Sequence, residues 1–221
     1  MLKITLKGGD IREVQENTTV DALCREISIG LYKSACAAKV DGKVVDLRYT
    51  LNTDCTVEIL TFDSEEGKKA FWHTASHIMA QAVKRLYPEA KLAIGPATDS
   101  GFYYDFDNER PFTQEDLPKI EEEMKKIVKE SLQLELFSLP RDKALELMKD
   151  EPYKVELIND LPEDATITFY KQGDFVDLCA GPHLPDTGRV KAFKLLSVTG
   201  AYWRGDSSRK MLQRIYGVAF P

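Results

Sequence analysis

Apolar side chains at Phe71, Ala75, Ile78, Met79, Ala82 and Leu86 recur at helical spacing, and the run stops at Pro88. This stretch constrains the chain more than any other, because a long helix with one apolar stripe must lay that stripe on a second layer of structure. Asp63 as N-cap, with Glu66 three residues on, predicts where the helix begins, and Pro88 predicts its end at Tyr87. Thr113 opens a second helix with Ile120, Met124, Ile127 and Val128 on one face, its regular part starting at Pro118. The period then drops to two at Leu132, Leu134 and Leu136, which reads as a strand. Shorter strands are expected over 165–170 and 175–178, separated by Lys171-Gln172-Gly173. Long helices against an antiparallel sheet make this part α+β.

Residues 1–61 read as a separate small unit. Leu2-Lys3-Ile4-Thr5-Leu6 alternates as a strand, and Gly8-Gly9-Asp10 supplies a turn to the next. Thr19 caps a short helix bearing Val20, Leu23 and Ile27, which Gly30 is expected to end. Further strands are expected over 35–40 and 56–60, with Asp41-Gly42 as a hairpin turn. That ββαββ order predicts a β-grasp, ubiquitin-like sheet. The division is therefore 1–61, 62–200 and a basic segment over 201–221.

No apolar run is long enough to span a bilayer, and MLKITLKGGD lacks the apolar core of a signal peptide. Cys24, Cys36, Cys55 and Cys179 form no CxxC pair, so they read as reduced thiols in a cytoplasmic chain. The formal charge of −6 is uneven: residues 1–61 carry −1, residues 62–188 carry −11 and residues 189–221 carry +6. This argues against a generic nucleic-acid binder. It suits a chain with one edge that meets phosphates, and a solvated basic linker accounts for it equally well.

The chain has three histidines, and all fall in two short motifs. His73-Thr74-Ala75-Ser76-His77 places two imidazoles one helical turn apart on one face. Cys179-Ala180-Gly181-Pro182-His183 repeats that spacing in a Gly-Pro turn after a strand. A lone helical histidine is more often structural, but this concentration points to a functional site. Three chemistries fit. The four groups can ligate zinc, closed and structural if all four bind. Cys179 can be a thiolate nucleophile with a histidine base. Alternatively the histidines polarise water and the cysteine lines the pocket.

At these motifs the sequence resembles a known family. HTASH, AIGPATDSGFYYDFD, PYKVELI, QGDFVDLCAGPHLPDTG and FKLLSVTGAYWRGDSSRKMLQRIYG follow one another as in the bacterial threonyl-tRNA synthetase family, and the resemblance covers the whole chain. By it, residues 1–61 correspond to the TGS domain and 62–200 to the editing domain, with 201–221 leading toward the catalytic core. The paired histidine motifs are shared with alanyl-tRNA editing proteins, whereas GFYYDFD and AYWRGDSSRKMLQRIYG point to the threonyl family. The class II core and anticodon-binding domain follow in that family. The expectation is that the ATP, magnesium and threonine-selecting zinc sites, and the homodimer contact, lie outside this chain.

The resemblance implies proofreading: hydrolysis of serine from the acceptor end of tRNA(Thr), sparing threonine. One methyl discriminates by only about 1–3 kcal/mol, so a second, smaller pocket is needed to remove the product carrying serine. By resemblance His73, His77, Lys154, Asp177, Cys179 and His183 surround the seryl-adenosine, with Tyr104 and the Gly95 loop nearby. The implied roles are water orientation or deprotonation for His73, charge stabilisation for Lys154 and α-ammonium binding for Asp177. From residue type alone, Lys154 is a surface salt bridge and Asp177 a cap or turn residue. Gly95-Pro96 and Gly101 are turn residues by composition and a wall against adenosine by resemblance, and Tyr103 and Tyr104 offer rings for stacking. Editing in this reading needs no cofactor, while His73, His77, Cys179 and His183 remain compatible with zinc. Arg204, Arg209, Lys210 and Arg214 suit a phosphate-bearing partner or an anchor for the core. The alternatives are a free-standing zinc deacylase and a non-enzymatic RNA- or partner-binding module.

Overall fold

The computed structural model describes residues 1–221. In the first unit β1 (Leu2–Leu6) and β2 (Ile11–Val14) form a hairpin whose turn uses Gly8 and Gly9, both at φ 100°, a region that favours glycine. After β3 (Thr18–Thr19), helix α1 (Val20–Ile27) starts at Thr19, whose hydroxyl accepts from the Ala22 N–H at 3.1 Å. The helix stops earlier than Gly30. Ser28 is extended and caps the next helix, α2 (Ile29–Ser34), by accepting from the Leu31 N–H at 3.0 Å. Gly30 therefore lies inside a helix rather than ending one.

Strands β4 (Ala35–Val40), β5 (Lys43–Val45), β6 (Thr50–Leu51) and β7 (Cys55–Thr61) complete the unit. The main sheet has the order β2-β1-β7-β4-β5, with β1 and β7 parallel and the other pairs antiparallel. Val20, Leu23 and Cys24 of α1 pack with Ile4, Val14, Ala38 and Val57 of the sheet, which is the β-grasp arrangement.

The second unit is built on α3 (Glu65–Leu86). Its N-cap is Ser64, not Asp63: the Ser64 hydroxyl accepts from the Gly67 N–H at 3.0 Å, and Glu66 pairs with Lys39 at 3.1 Å instead of closing a capping box. After β8 (Lys91–Leu92) and β9 (Phe102–Asp107) comes α4 (Leu117–Glu130), with Pro118 in its first turn as expected. Then follow β10 (Leu134–Leu139), α5 (Arg141–Leu147), α6 (Pro152–Asn159), β11 (Ile167–Gln172), β12 (Phe175–Leu178), β13 (Ala192–Tyr202) and β14 (Met211–Phe220). Strand β11 runs through Lys171 and Gln172, so the turn falls on Gly173-Asp174.

Two antiparallel sheets result, β10-β11-β12 and β13-β14-β9-β8. Helix α3 lies on β9 and β14 with α4 beside it, and it also touches β4 and β7 of the first unit. One apolar core joins Cys36, Ala37 and Leu60 to Phe71, Ile78, Phe102 and Ile215.

Residues 201–221, expected to be a connecting segment, are folded into this sheet, with β14 between β13 and β9. Their cations are answered by carboxylates of the second unit. Arg214 grips Asp105 through two bonds of 2.8 and 2.9 Å, Lys210 meets Asp107 at 3.1 Å, and Arg204 meets Asp160 at 2.6 Å. Arg209 pairs with Glu156. Each of these four cations therefore has a carboxylate partner within the chain, while Lys210 keeps most of its side chain in water. No helix of the chain is long and apolar enough to cross a membrane.

Candidate active site

Four separate elements bring the chemistry-bearing residues together. Helix α3 presents His73 and His77, β9 presents Tyr104, α6 presents Lys154, and β12 with the loop after it presents Asp177, Cys179 and His183. The His73 and His183 rings stack with centroids 4.2 Å apart, and His77 lies 5.1 Å from His73 and 4.3 Å from His183. Cys179 Sγ is 3.3 Å from His73 Nε2 and 3.1 Å from His183 Nε2. Of these four, His73 alone is partly exposed.

Asp177 is the hub of the second half of the site. Lys154 Nζ stands 2.8 Å from its Oδ1, the Tyr104 hydroxyl donates to Oδ2 at 2.7 Å, and His77 Nε2 is 3.4 Å from the same oxygen. Asp177 and Lys154 are 1% and 3% exposed, so Lys154 is not the surface salt bridge that its type alone predicted, and Asp177 lies within β12 rather than at a cap or turn. Asp177 thus faces Lys154, Tyr104 and His77 at once and ties the three elements that carry them together.

Tyr104 is fully buried and offers no ring face for stacking, whereas Tyr103 is half-buried under the Arg214 guanidinium at 3.9 Å. The Gly95 carbonyl accepts from the Ser76 hydroxyl at 2.8 Å, and any side chain at Gly95 would collide with the Tyr104 ring. Gly101 meets the Gly217 backbone across β14 and is a sheet-packing residue in this structure.

Burial sets the protonation states. It pushes the His73 imidazole down to about 3, with His77 adding to the effect, and the His77 imidazole down to about 4. His183 is likewise held well below the ordinary value by burial and by the other two histidines. The three rings are therefore neutral near pH 7. Burial pushes the Cys179 thiol up to about 12, which leaves little thiolate to act as a nucleophile. Burial alone would raise the Asp177 carboxyl, but the Lys154 ammonium, with the bonds that Asp177 accepts, outweighs it and holds the group below the usual range. The arrangement is a neutral base at the solvent-facing edge, backed by a buried ion pair.

The same four His/Cys side chains fit a metal ion. Their ligand atoms lie within 4.8 Å of one another, and tetrahedral zinc with bonds of about 2.0–2.3 Å would need only modest contraction. His183 Nδ1 is held by the Thr74 hydroxyl at 2.9 Å and His77 Nε2 faces Asp177, the kind of outer support that orients metal-binding imidazoles. His77 Nδ1 is buried without a protein partner.

The sequence reading found the histidine motifs from their spacing but had no signal for Lys154 and Asp177 beyond family resemblance. It also missed Thr74, which holds His183 and accepts from the Leu184 N–H at 2.9 Å. Thr74 lies inside the HxxxH motif, and its helical face was the available clue.

The family model described as the TGS domain matches residues 2–61. The one described as the threonyl and alanyl tRNA synthetase second additional domain matches residues 167–216. Over its full length the chain is 64% identical to threonine–tRNA ligase of Acetivibrio thermocellus and to that of Clostridium kluyveri, in each case covering 35% of the relative. The corresponding protein of Clostridium perfringens is 61% identical over the full chain, which covers 34% of it. The chain thus spans about a third of the length of the curated relatives it matches. Taken with the order of its two domains, these similarities place the chain in the threonyl-tRNA synthetase family, as the amino-terminal region that carries the TGS and editing domains.

Proposed function

We propose that this chain hydrolyses the ester of serine mistakenly attached to tRNA(Thr) and spares the threonyl ester. The observation that carries this reading is the convergence of the partly exposed His73 with the buried Lys154–Asp177 pair, whose Asp177 lies in the stretch that matches the threonyl and alanyl tRNA synthetase second additional domain. Neutral His73 takes a proton from water as it attacks the ester carbonyl, and Lys154 stabilises the negative charge that develops on oxygen; the acyl C–O bond then breaks, and the departing ribose oxygen takes the proton back from His73. Asp177 keeps Lys154, Tyr104 and His77 in place. Cys179 and His183 crowd the space beside His73, and in this reading that crowding excludes a methyl on the substrate's side chain. The partner is the acceptor end of tRNA(Thr), and the setting is cytoplasmic translation. Threonine charging with ATP, and the dimer contact, belong to the remainder of the longer relatives.

A second reading is favoured by the His77 Nδ1 atom that lacks a protein partner: zinc held by His77, Cys179 and His183, with His73 free or bound. Such an ion would supply Lewis-acid polarisation of water or carbonyl. One experiment separates the readings. Ser-tRNA(Thr) and Thr-tRNA(Thr) are offered to the purified chain before and after chelation, with metal content measured in parallel. The expected result is hydrolysis of the seryl ester alone, at a rate that chelation leaves unchanged. Equal rates on both esters would defeat the size-selection reading. Loss of activity on chelation with recovery on added zinc would replace side-chain catalysis by the metal reading.

A further inference from the structure

The loop that bears Cys179 and His183 is held from outside its own unit. Asp46 and Arg48 lie between β5 and β6 of the first unit. Arg48 Nε donates to the Leu134 carbonyl at 2.9 Å, and Nη2 donates to the carbonyls of Leu184 at 2.8 Å and Pro185 at 3.3 Å. Arg48 Nη1 reaches the His183 carbonyl at 3.3 Å. Asp46 fixes this guanidinium: its Oδ1 accepts from Arg48 Nη1 at 2.7 Å and from the Arg48 N–H at 2.8 Å. Its other oxygen turns toward the site, accepting from the Tyr170 hydroxyl at 2.7 Å and from the His183 N–H at 3.2 Å. The Tyr170 ring lies 4.3 Å from the His183 ring, and its hydroxyl fills the space that a side chain at Gly181 would need.

We propose that Asp46 and Arg48 are positioning residues of the hydrolytic site, so that the first unit sets the geometry of the Cys179–His183 loop. The proposal rests on the reading above for the reaction it affects. Its physical basis is that a planar guanidinium can satisfy several carbonyls at once, and charge-assisted bonds of this kind are about twice as strong as neutral ones. His183 is gripped on its backbone by Asp46 and Arg48 and on its ring by Thr74, which leaves it one place to sit. His183 stacks on the proposed base His73 with centroids 4.2 Å apart, so moving one ring moves the other, and a misplacement of about 1 Å at a reacting group can cost 10²-fold in rate.

A second cross-unit arginine provides the control. Arg189 Nη1 donates to the Tyr32 carbonyl at 2.7 Å and the Ala35 carbonyl at 3.1 Å, so it ties the units together without touching the site. If Arg48 served only as glue between units, replacing either arginine would have the same consequence.

The test compares Arg48→Ala, Arg48→Lys and Arg189→Ala in the whole chain. It reads kcat and KM for Ser-tRNA(Thr) hydrolysis, the thermal midpoint, and the imidazole nitrogen NMR signals of the three histidines. Arg48→Ala is expected to lower kcat by about 10–100-fold with KM nearly constant, and to shift the His183 signal. Arg48→Lys keeps the charge but loses the fork, and in a chain that melts near the parent temperature it is expected to shift the same signal and lower kcat less. Arg189→Ala is expected to lower the thermal midpoint while leaving kcat and the histidine signals close to the parent. An unmoved His183 signal in folded Arg48→Lys overturns the proposal, as does a kcat that merely follows the thermal midpoint in all three variants. A parent chain that cleaves no seryl ester would defeat the proposed function, and the NMR comparison would still decide whether Arg48 places His183.

Discussion

The two units of this chain bury different kinds of side chain. The buried residues of the first are apolar or cysteine, among them Ile4, Val20, Leu23, Leu47 and Leu51. All the buried polar and charged residues lie in the second: Thr74, Ser76, His77, Gln81, Asp105, Asp116, Lys154, Gln172, Asp177, His183 and Thr187. Enclosing polar groups costs free energy unless each finds a partner, so this asymmetry is not what stability alone would produce. It also shows how one helix serves two purposes. The apolar stripe of α3 holds the sheet, while its histidine face, buried at His77 and partly open at His73, forms a wall of the site.

The sharpest way to break this comparison is to remove a polar group that acts on substrate. His73→Ala is expected to lower the rate of seryl-ester hydrolysis by about 10²–10⁴-fold with the fold intact, as read by single-turnover kinetics and circular dichroism. A rate near that of the parent would remove His73 from the chemistry. Next in size is Lys154→Met, which strands the Asp177 carboxylate out of water. Urea denaturation should show a loss of about 3–5 kcal/mol, largely recovered in Lys154→Met/Asp177→Leu. A loss as small as that from breaking the exposed Lys149–Glu146 pair would mean that water reaches Asp177.

Leu23→Ala tests the other side. It should destabilise the first unit by about 2–5 kcal/mol yet leave kcat per folded molecule unchanged, and a fall in kcat there would mean that the apolar core also governs the site. Acid gives the smallest effect. His73 and His77 titrate at about 3 and about 4 in the folded chain and near 6.5 when unfolded, so the unfolded state takes up protons first. The second unit's stability is therefore steady above neutral pH. It falls as the pH drops from about 6.5 toward 4, by on the order of 1–2 kcal/mol for each imidazole at pH 5. The first unit has no histidine. Amide exchange of metal-free protein at pH 7 and pH 5 should show protection lost in the second unit first, and equal loss in both would contradict the burial of these rings as neutral groups.

Much of the fold was legible because local signals carry it. The 3.6-residue stripe of α3, Pro118 in the first turn of α4 and the Thr19 cap are written in neighbouring residues. Signals of that kind fail where tertiary contacts decide. Arg204, Arg209, Lys210 and Arg214 read as a basic surface because their carboxylate partners are as far away in sequence as Asp105, Asp107, Glu156 and Asp160. Strand β14 was missed for the same reason, since nothing near Met211–Phe220 announces that β9 lies beside it. At the candidate site, the histidine and cysteine motifs could be found by spacing within four residues. Lys154 sits on a short helix with no apolar periodicity that the sequence reading recognised, and only its pairing with Asp177 in space reveals it.

The position of β14 bears on how the chain is made. During synthesis, residues 2–61 leave the ribosome with every partner strand of their sheet already present, and such a unit can fold while translation continues. Strand β9 has no such freedom. It can pair with β8 at once, but its inner neighbour is Gln213–Gly217, so Phe102–Asp107 must wait for about half of the chain to be polymerised before its hydrogen bonds on that side can close. Helix α3 can meet β4, β7 and α4 earlier, but the part of its apolar stripe that rests on β14 shares that delay. The nascent chain therefore passes through an interval in which the first unit is finished and His73 is already synthesised, yet the faces of α3 and β9 that await β14 are open to chaperones and to neighbouring chains.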